Sequence, residues 1–401
     1  MMTNMYEKSA IERDFLLEDL FAFGGDAGGG YQTAGDIVTQ TIDGIDLNAL
    51  WGQYQQVLAY WNARKAGLVS LLTYPVENLI ENVPQVGEAA FEEASEFGEP
   101  QAGKINVEYI QLGYDFRDYD VASRWTWKFL RDADARQVNA MHNAYLMADQ
   151  KLVFRKVMEA IFDNRNRSAN IRNQAYNVYP MYNGDGMIPP DYGTNTFDGT
   201  HDHYLVSGNA QIDSDDLEDA LDHIEEHGYS IENGTTLIVL CNKAQAMEIR
   251  KFRQGEVNNN GVEANYDFIP SQNQPAVILP NEGLLGNRPP SVWNGLRVLG
   301  SYRDALIIEE QFIPEGYMVT FGSGGVGNLG NLVGLREHAN PAYRGLRLIA
   351  GNQQGYPLVD SYYSRSFGTG VRQRGGAVVT QIAAAADYVI PDRYKKGAGL
   401  E

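Results

Sequence analysis

DADARQVNAMHNAYLMADQKLVFRKVMEAIFD, residues 132–163, is the stretch on which the fold turns. It contains neither Pro nor Gly, the two residues that most readily end a helix. Val138, Met141, Tyr145, Ala148 and Leu152 fall three and four apart, and Val153, Val157 and Ile161 carry an apolar stripe onward at a spacing of four. Such a helix rises roughly 45 Å at about 1.5 Å per residue, long for a globular protein. It would serve as a girder for whatever packs along it.

Upstream, Asp46 is placed to cap a helix through Leu50, Trp51, Tyr54, Val57, Leu58 and Trp61, and Pro75 closes that segment. Two strands follow, over 76–86 and 105–119, the second with Ile105, Val107 and Tyr109 alternating with polar neighbours. Between them lies an acidic, polar stretch, Gly87 to Gly103. Two strands joined this way read as a long protruding hairpin, and a connection of such length usually has a function of its own or is disordered. The first 45 residues are Gly-rich at Gly24, Gly25, Gly28, Gly29 and Gly30 and read as a mobile arm, with one short helix over Ile11 to Phe23.

Downstream, 164–211 is rich in Asn, Gly, Tyr and Pro and reads as irregular excursions. Asp213 or Ser214 caps a helix through Leu217, Leu221 and Ile224 that Gly228 ends. Thr235 to Cys241 is apolar and β-branched, a buried strand, and Lys243 to Phe252 is a helix. Short strands are expected over 276–279, 296–299, 305–308 and 317–321, then a Gly-rich 322–334, a last apolar run over 376–385 and a charged, frayed tail from Asp392. The mixture is α+β, without a regular βαβ alternation.

The formal net charge is −20, from 32 basic and 52 acidic residues, which opposes binding to a phosphate backbone. The charge is unevenly placed. Residues 1–46 carry nine acids and two bases, 81–99 six glutamates and no base, and 124–172 ten bases and five acids. One account is solvated faces on separate elements; the other is oppositely charged elements meeting between copies of the chain. Cys241 is the sole cysteine, so no intrachain disulfide forms, as befits a reducing cytoplasm. No apolar run is long enough to span a bilayer, and Met1 to Ala10 lacks the apolar core of a signal peptide.

Several patterns imitate chemistry. His223-Ile224-Glu225-Glu226-His227 fits H-x-x-E-H, whose histidines share a helix face as zinc ligands must, but no third ligand is evident and Gly228 ends the helix at once. His201-Asp202-His203 is a second metal-like group, in a Gly/Asn-rich loop. Both read more simply as a helix end and a surface loop, so no metal, cofactor or catalytic residue is expected. Gly322, Gly324 and Gly327 satisfy G-x-G-x-x-G, yet Gly330 and Gly334 forbid the helix a dinucleotide site needs, and a flexible loop is expected. Cys241, inside an apolar strand, reads as an inert core residue.

The order of parts resembles the major capsid proteins of tailed bacteriophages, those of phages infecting actinobacteria most of all. The landmarks are the hairpin of 76–118, Ser123-Arg124-Trp125-Thr126-Trp127 leading into the long helix, TTLIVLCNKAQAMEIRKF (235–252), LRVLGSYRDALIIEEQFIPEGYMVTFG (296–322) with Gly300 and Pro314-Glu315-Gly316, and GYPLVDSYYSRSFGTGVRQRGGAVVTQIA (355–383). The resemblance covers roughly 46–390 and implies an N-terminal arm at 1–45, a helix entering the P-domain at 46–75 and an E-loop hairpin at 76–118. It further implies a P-domain over 119–211 with its spine helix at 132–163, an A-domain at 212–345, and over 346–401 the A-domain return, the closing P-domain strand and the tail. One branch of that family carries a fused, cleaved scaffolding region of about a hundred residues ahead of the first helix; here only about 45 precede it, which implies a separate scaffolding protein or a short arm that does the job.

The implied function is an icosahedral shell built from hexamers and pentamers of this chain, located in the virion capsid and assembled in the host cytoplasm. Portal and decoration proteins are further implied partners, and DNA is enclosed without sequence-specific contact and without a membrane. Glu81, Glu88, Glu92, Glu93, Glu96 and Glu99 of the hairpin are expected to face a neighbour's Arg124, Lys128, Arg131, Arg136, Arg155 and Lys156. Some relatives crosslink an E-loop lysine to a neighbour's asparagine. Lys104, the only lysine between Lys65 and Lys128, is the candidate here, and a solvated lysine is the simpler account. The alternatives are a bacterial nanocompartment shell protein, which shares the fold and encloses cargo enzymes, and a zinc-dependent hydrolase.

Overall fold

The structure, a computed structural model, describes residues 38–63, 67–86, 107–171, 173–272, 287–351 and 358–395. In chain order these form α1 (Leu47–Ala63), α2 (Leu68–Leu72), β1 (Thr73–Val76), β2 (Ile80–Val86), β3 (Val107–Gly113), β4 (Asp115–Arg124), α3 (Trp127–Asp132) and α4 (Ala135–Phe162). Next come β5 (Arg167–Ile171), β6 (Gln174–Val178), β7 (Tyr204–Val206), α5 (Ser214–Glu225), β8 (Thr236–Cys241), α6 (Lys243–Ile249) and β9 (Phe268–Pro270). The last strands are β10 (Val292–Trp293), β11 (Leu296–Arg297), β12 (Gly300–Tyr302), β13 (Ala305–Glu309), β14 (Tyr317–Ser323), β15 (Val333–Arg336), β16 (Arg347–Ala350), β17 (Asp360–Val371) and β18 (Ala377–Gln381). The expected strand over 276–279, residues 1–37 of the N-terminal arm and residues 87–106 of the hairpin lie outside the described residues.

The chain divides into two units. The smaller takes residues up to Tyr60, Asp120–Tyr145 and Leu348–Ser364. Its α1 starts where the sequence places it, because Asp46 Oδ1 accepts from the backbone N–H of Asn48 and Ala49. Leu47, Leu50, Tyr54 and Leu58 form its buried stripe, while Val57 is exposed. Thr126 caps α3 by accepting from Phe129 N–H. Ser123 Oγ meets Ser361 Oγ at 2.7 Å and donates to Ser361 O.

Here the reading of α4 needs correction at Met141 and Ala148, which are exposed, while His142, Leu146 and Asp149 are buried. After Val138 the buried position is His142, not Met141, which is 40% exposed. His142 stacks on Tyr54 at 3.9 Å and bonds the hydroxyl of Tyr363. Burial pushes its pKa down to about 4, so the ring is neutral and packs as an aromatic.

The larger unit comprises Trp61–Tyr119, Leu146–Arg347 and the chain from Arg365 on. Its centre is a seven-stranded mixed sheet in the order β7-β18-β14-β8-β13-β12-β9. Middle strand β8 runs parallel to β13 and antiparallel to β14. A strand covered on both faces cannot alternate polar with apolar, and TLIVLC does not. Leu237, Val239 and Cys241 pack with Leu217, Leu221 and Ile224 of α5 and Ala246 and Ile249 of α6. Ile238 and Leu240 face the opposite core with Val157, Ile161 and Phe162 of α4. Fully burying one such side chain is worth about 1.5–3 kcal/mol, so the two cores hold α4, α5 and α6 to one sheet.

Asp149, again on the buried side of α4, accepts from Trp61 Nε1 at 3.0 Å and from Arg365 at 2.7 Å. Both bonds fall on Oδ2 of a carboxylate the apolar stripe does not foresee. α5 opens with a full capping box, Asp213 accepting from Asp216 N–H and Asp216 accepting from Asp213 N–H. Gly322–Gly330 ends β14 without a following helix. The loop is pinned, since buried Asn331 accepts from Gly324 N–H and donates to the carbonyls of Thr73 and Gly325.

Candidate functional site

β2 and β3 pair antiparallel from Ile80↔Gly113 to Val86↔Val107. Their root is fixed by a polar chain within the larger unit. The Tyr114 hydroxyl donates to Glu81 Oε2 at 2.6 Å, Arg372 Nε lies 3.3 Å from Glu81 Oε1, and the Tyr74 hydroxyl lies 3.2 Å from that of Tyr114. Burial raises the pKa of both phenols, that of Tyr74 to about 12, so both stay protonated donors. Close packing holds the ring of Tyr114: a Cβ on Gly334 would come within 2.6 Å of it and one on Gly370 within 2.9 Å. These two glycines face each other across the β15–β17 pairing. Glu81, expected to face a neighbour, is therefore engaged on its own chain, where Arg372 supplies the charge it needs. Glu88, Glu92, Glu93, Glu96, Glu99 and Lys104 lie outside the described residues.

The six basic positions separate by surroundings. Arg155 and Lys156 sit 3.1 and 2.7 Å from Glu159, whose side chain is 4% exposed, so both neutralise a buried carboxylate. In the smaller unit Arg124 pairs with Asp360, Arg131 with Asp132 and Arg136 with Asp134, while Lys128 and Arg131 lie over the Trp127 ring. All four of these cations are exposed. Surface pairs of this kind are worth only about 0–1 kcal/mol, and a partner's carboxylate can replace the present one at little cost.

In the larger unit the structure joins two histidine groups that the sequence keeps apart. His201 and His203 lead into β7, and His227 follows the C-terminal end of α5. The Nε2 atoms of His201, His203 and His227 are 2.9–3.1 Å from one another. His223 does not pair with His227 as H-x-x-E-H suggests. Its Nε2 lies 2.9 Å from the carbonyl of Asp202, and its ring stacks on His201 at 4.5 Å. Phe197 stacks on His227 at 4.5 Å, and Tyr182 lies alongside at 6.0 Å. His203 is fully buried and His201 and His227 half-buried, so the expected solvated helix end is instead a packed cluster. Desolvation pushes His201 down to about 4 and His227 to about 3, and holds His203 well below the usual range. The available signal was the count: four of the chain's six histidines fall between 201 and 227.

Cys241, buried in β8, has its thiol pushed up to about 12 by burial, which keeps it from acting as a thiolate. Among the described residues no helix is long and apolar enough to cross a membrane.

A clamped two-stranded hairpin, then a long helix, then a mixed seven-stranded sheet define a structural shell subunit with the tailed-phage capsid fold. A solved structure from Mycobacterium phage Patience is 57% identical, covers 94% of this chain and 99% of its own, and superposes with a TM-score of 0.71. This chain belongs to the major capsid proteins of tailed bacteriophages. It is a structural subunit of an icosahedral shell and self-associates in the virion capsid. More distant solved structures also align. The capsid of an empty GTA particle does so at 12% identity over 79% of this chain and 91% of that one, with a TM-score of 0.42. The holo-SrpI encapsulin complex from Synechococcus elongatus does so at 15% over 80% and 88%, with a TM-score of 0.39. No family model and no curated protein matches the chain.

Proposed function

We propose that residues 76–118 form the arm by which each subunit, in hexamers and pentamers, grips its neighbour, and that the exposed cations around α3 are its landing surface. The observation that carries this is the cross-strand pair Pro84↔Tyr109, both exposed, with Tyr109 at 67%. An apolar pair held open on a rooted hairpin is surface that gains by burial against another molecule. On this reading Glu88, Glu92, Glu93, Glu96 and Glu99 reach Arg124, Lys128, Arg131 and Arg136 of the next subunit. Arg155, Lys156 and Glu81 drop out because each is engaged at home. The charges set register and apolar burial supplies the affinity. The arm at 1–45, the P-domain around α4 and the A-domain around the seven-stranded sheet complete the assignment. A separate scaffolding protein, a portal and a decoration protein are the further partners, with assembly in the host cytoplasm. The acidic chain encloses DNA without sequence-specific contact, and Lys104 stays a solvated lysine.

The test is the triple change Glu92→Lys, Glu93→Lys and Glu96→Lys, examined by electron microscopy of assembly products. Closed shells should give way to open or aberrant ones. Normal particles from the triple variant would remove the landing surface from the account.

A further inference from the structure

Three imidazole nitrogens that all approach one another within about hydrogen-bond distance pose a counting problem. Each neutral ring nitrogen is either a donor or an acceptor. His203 is fixed, because its Nδ1 lies 2.7 Å from the carbonyl of Ala377, which can only accept. Its Nδ1 therefore carries the proton and its Nε2 presents a lone pair. Around a ring of three, donor and acceptor cannot alternate. At least one of the contacts at 2.9–3.1 Å must then set lone pair against lone pair or N–H against N–H. In a cluster centred on a fully buried side chain, such a clash calls for a remedy. A single cation at the centre makes all three nitrogens acceptors and removes it.

We propose that His201, His203 and His227 bind a divalent borderline metal ion, zinc above all, through their Nε2 atoms. The geometry suits it. With Zn–N distances of about 2.0–2.1 Å the ion would sit about 1 Å above the plane of the three nitrogens, which need to part by only a few tenths of an ångström. The rings meet at interplanar angles of 76°, 70° and 34°, splayed as the legs of a tripod. Imidazole is a ligand suited to zinc, and the absence of a ligating carboxylate from the trio disfavours magnesium or calcium. The Ala377 carbonyl orients one ligand as an outer-sphere partner does. His223 braces His201 by stacking, with its own Nε2–H donated to Asp202 O. Water takes the fourth position. The ion would tie together the segment before β7, the segment after α5 and, through Ala377, the start of β18. It acts as a clip within the larger unit.

The experiment uses untagged, full-length chain assembled into particles and purified without added metal, with metal content read by plasma mass spectrometry. Close to one zinc per chain is expected. His227→Gln and His201→Gln, at half-buried positions that tolerate an amide, should each lower zinc content about tenfold or more. His223→Gln, which removes the brace but no ligand, should retain it. Cobalt substitution should give the strong visible bands of a four-coordinate Co2+ ion. Zinc below about a tenth of an equivalent even after incubation with zinc chloride would overturn the proposal. So would equal zinc content in wild type and His227→Gln, or only the weak spectrum of octahedral cobalt.

Discussion

Arg374 offers the sharpest test of how the larger unit is held together. Its guanidinium, 3% exposed, lies 2.9 Å from Asp185, itself 9% exposed, and donates to the carbonyls of Pro180 at 2.9 Å and Met181 at 3.2 Å. It also lies over the rings of Tyr182 and Tyr179, at 4.6 and 5.1 Å. Arg374→Met keeps most of the volume and removes the charge and the donors. Removing one member of a buried ion pair costs about 3–5 kcal/mol, chiefly because the other charge is left buried and unpaired. The orphaned carbonyls lie within the same site, so their cost overlaps with this, and about 4 kcal/mol is the expected total. The assay is urea unfolding of the unassembled subunit, in which the midpoint should fall with little change in slope. Adding Asp185→Asn to Arg374→Met should recover part of the loss, since it removes the stranded carboxylate. A single variant within about 1 kcal/mol of wild type, or a double variant no better than the single, would refute the ion-pair reasoning.

Asp216 predicts a pH effect. Burial, against the relief of its bond to Asp213 N–H and with the added charge of Asp213, raises its carboxyl to about 7. A carboxyl whose folded pKa lies above its unfolded value favours the fold most below the unfolded pKa and loses that contribution as pH rises through about 7. Asp216→Asn should therefore stabilise at pH 8, by about 1 kcal/mol after solvent screening, with the gain vanishing near pH 4, as read from melting midpoints at the two values. Gly300→Ala should cost about 2 kcal/mol or more, because its Cβ would fall 2.3 Å from the Phe268 ring and 2.4 Å from the Ile269 carbonyl across the β12–β9 pairing. Thermal unfolding reads this directly, and an unchanged midpoint would mean that β9 shifts freely.

The long helix and β8 were legible because each carries its signal locally, one in its 3.6-residue period and one in an unbroken apolar run. The exact face of α4 was not. His142 and Asp149 look polar in sequence, and only the arrival of Tyr54, Tyr363, Trp61 and Arg365 from distant positions makes them interior residues. β17, the longest strand among the described residues at twelve, was visible through family likeness and not through its own pattern. SYYSRSFGTGV carries glycines and serines in place of a clean alternation, and Gly370 is there to let a tyrosine ring lie against the backbone. The histidine cluster was half legible. Both pairs were in view, but sequence has no means of showing that residues 24 and 26 apart meet at one point.

The root of the hairpin is a built-in end in the engineer's sense. Tyr114 is wedged between two backbone positions that carry no side chain, and Glu81 is tied to the residue that follows β17. Any bending moment carried along β2 and β3 is thus reacted at the β15–β17 ladder, not absorbed by a swivel. On the proposed arm contact, a load from a neighbour would pass into this strand ladder in the body of the molecule.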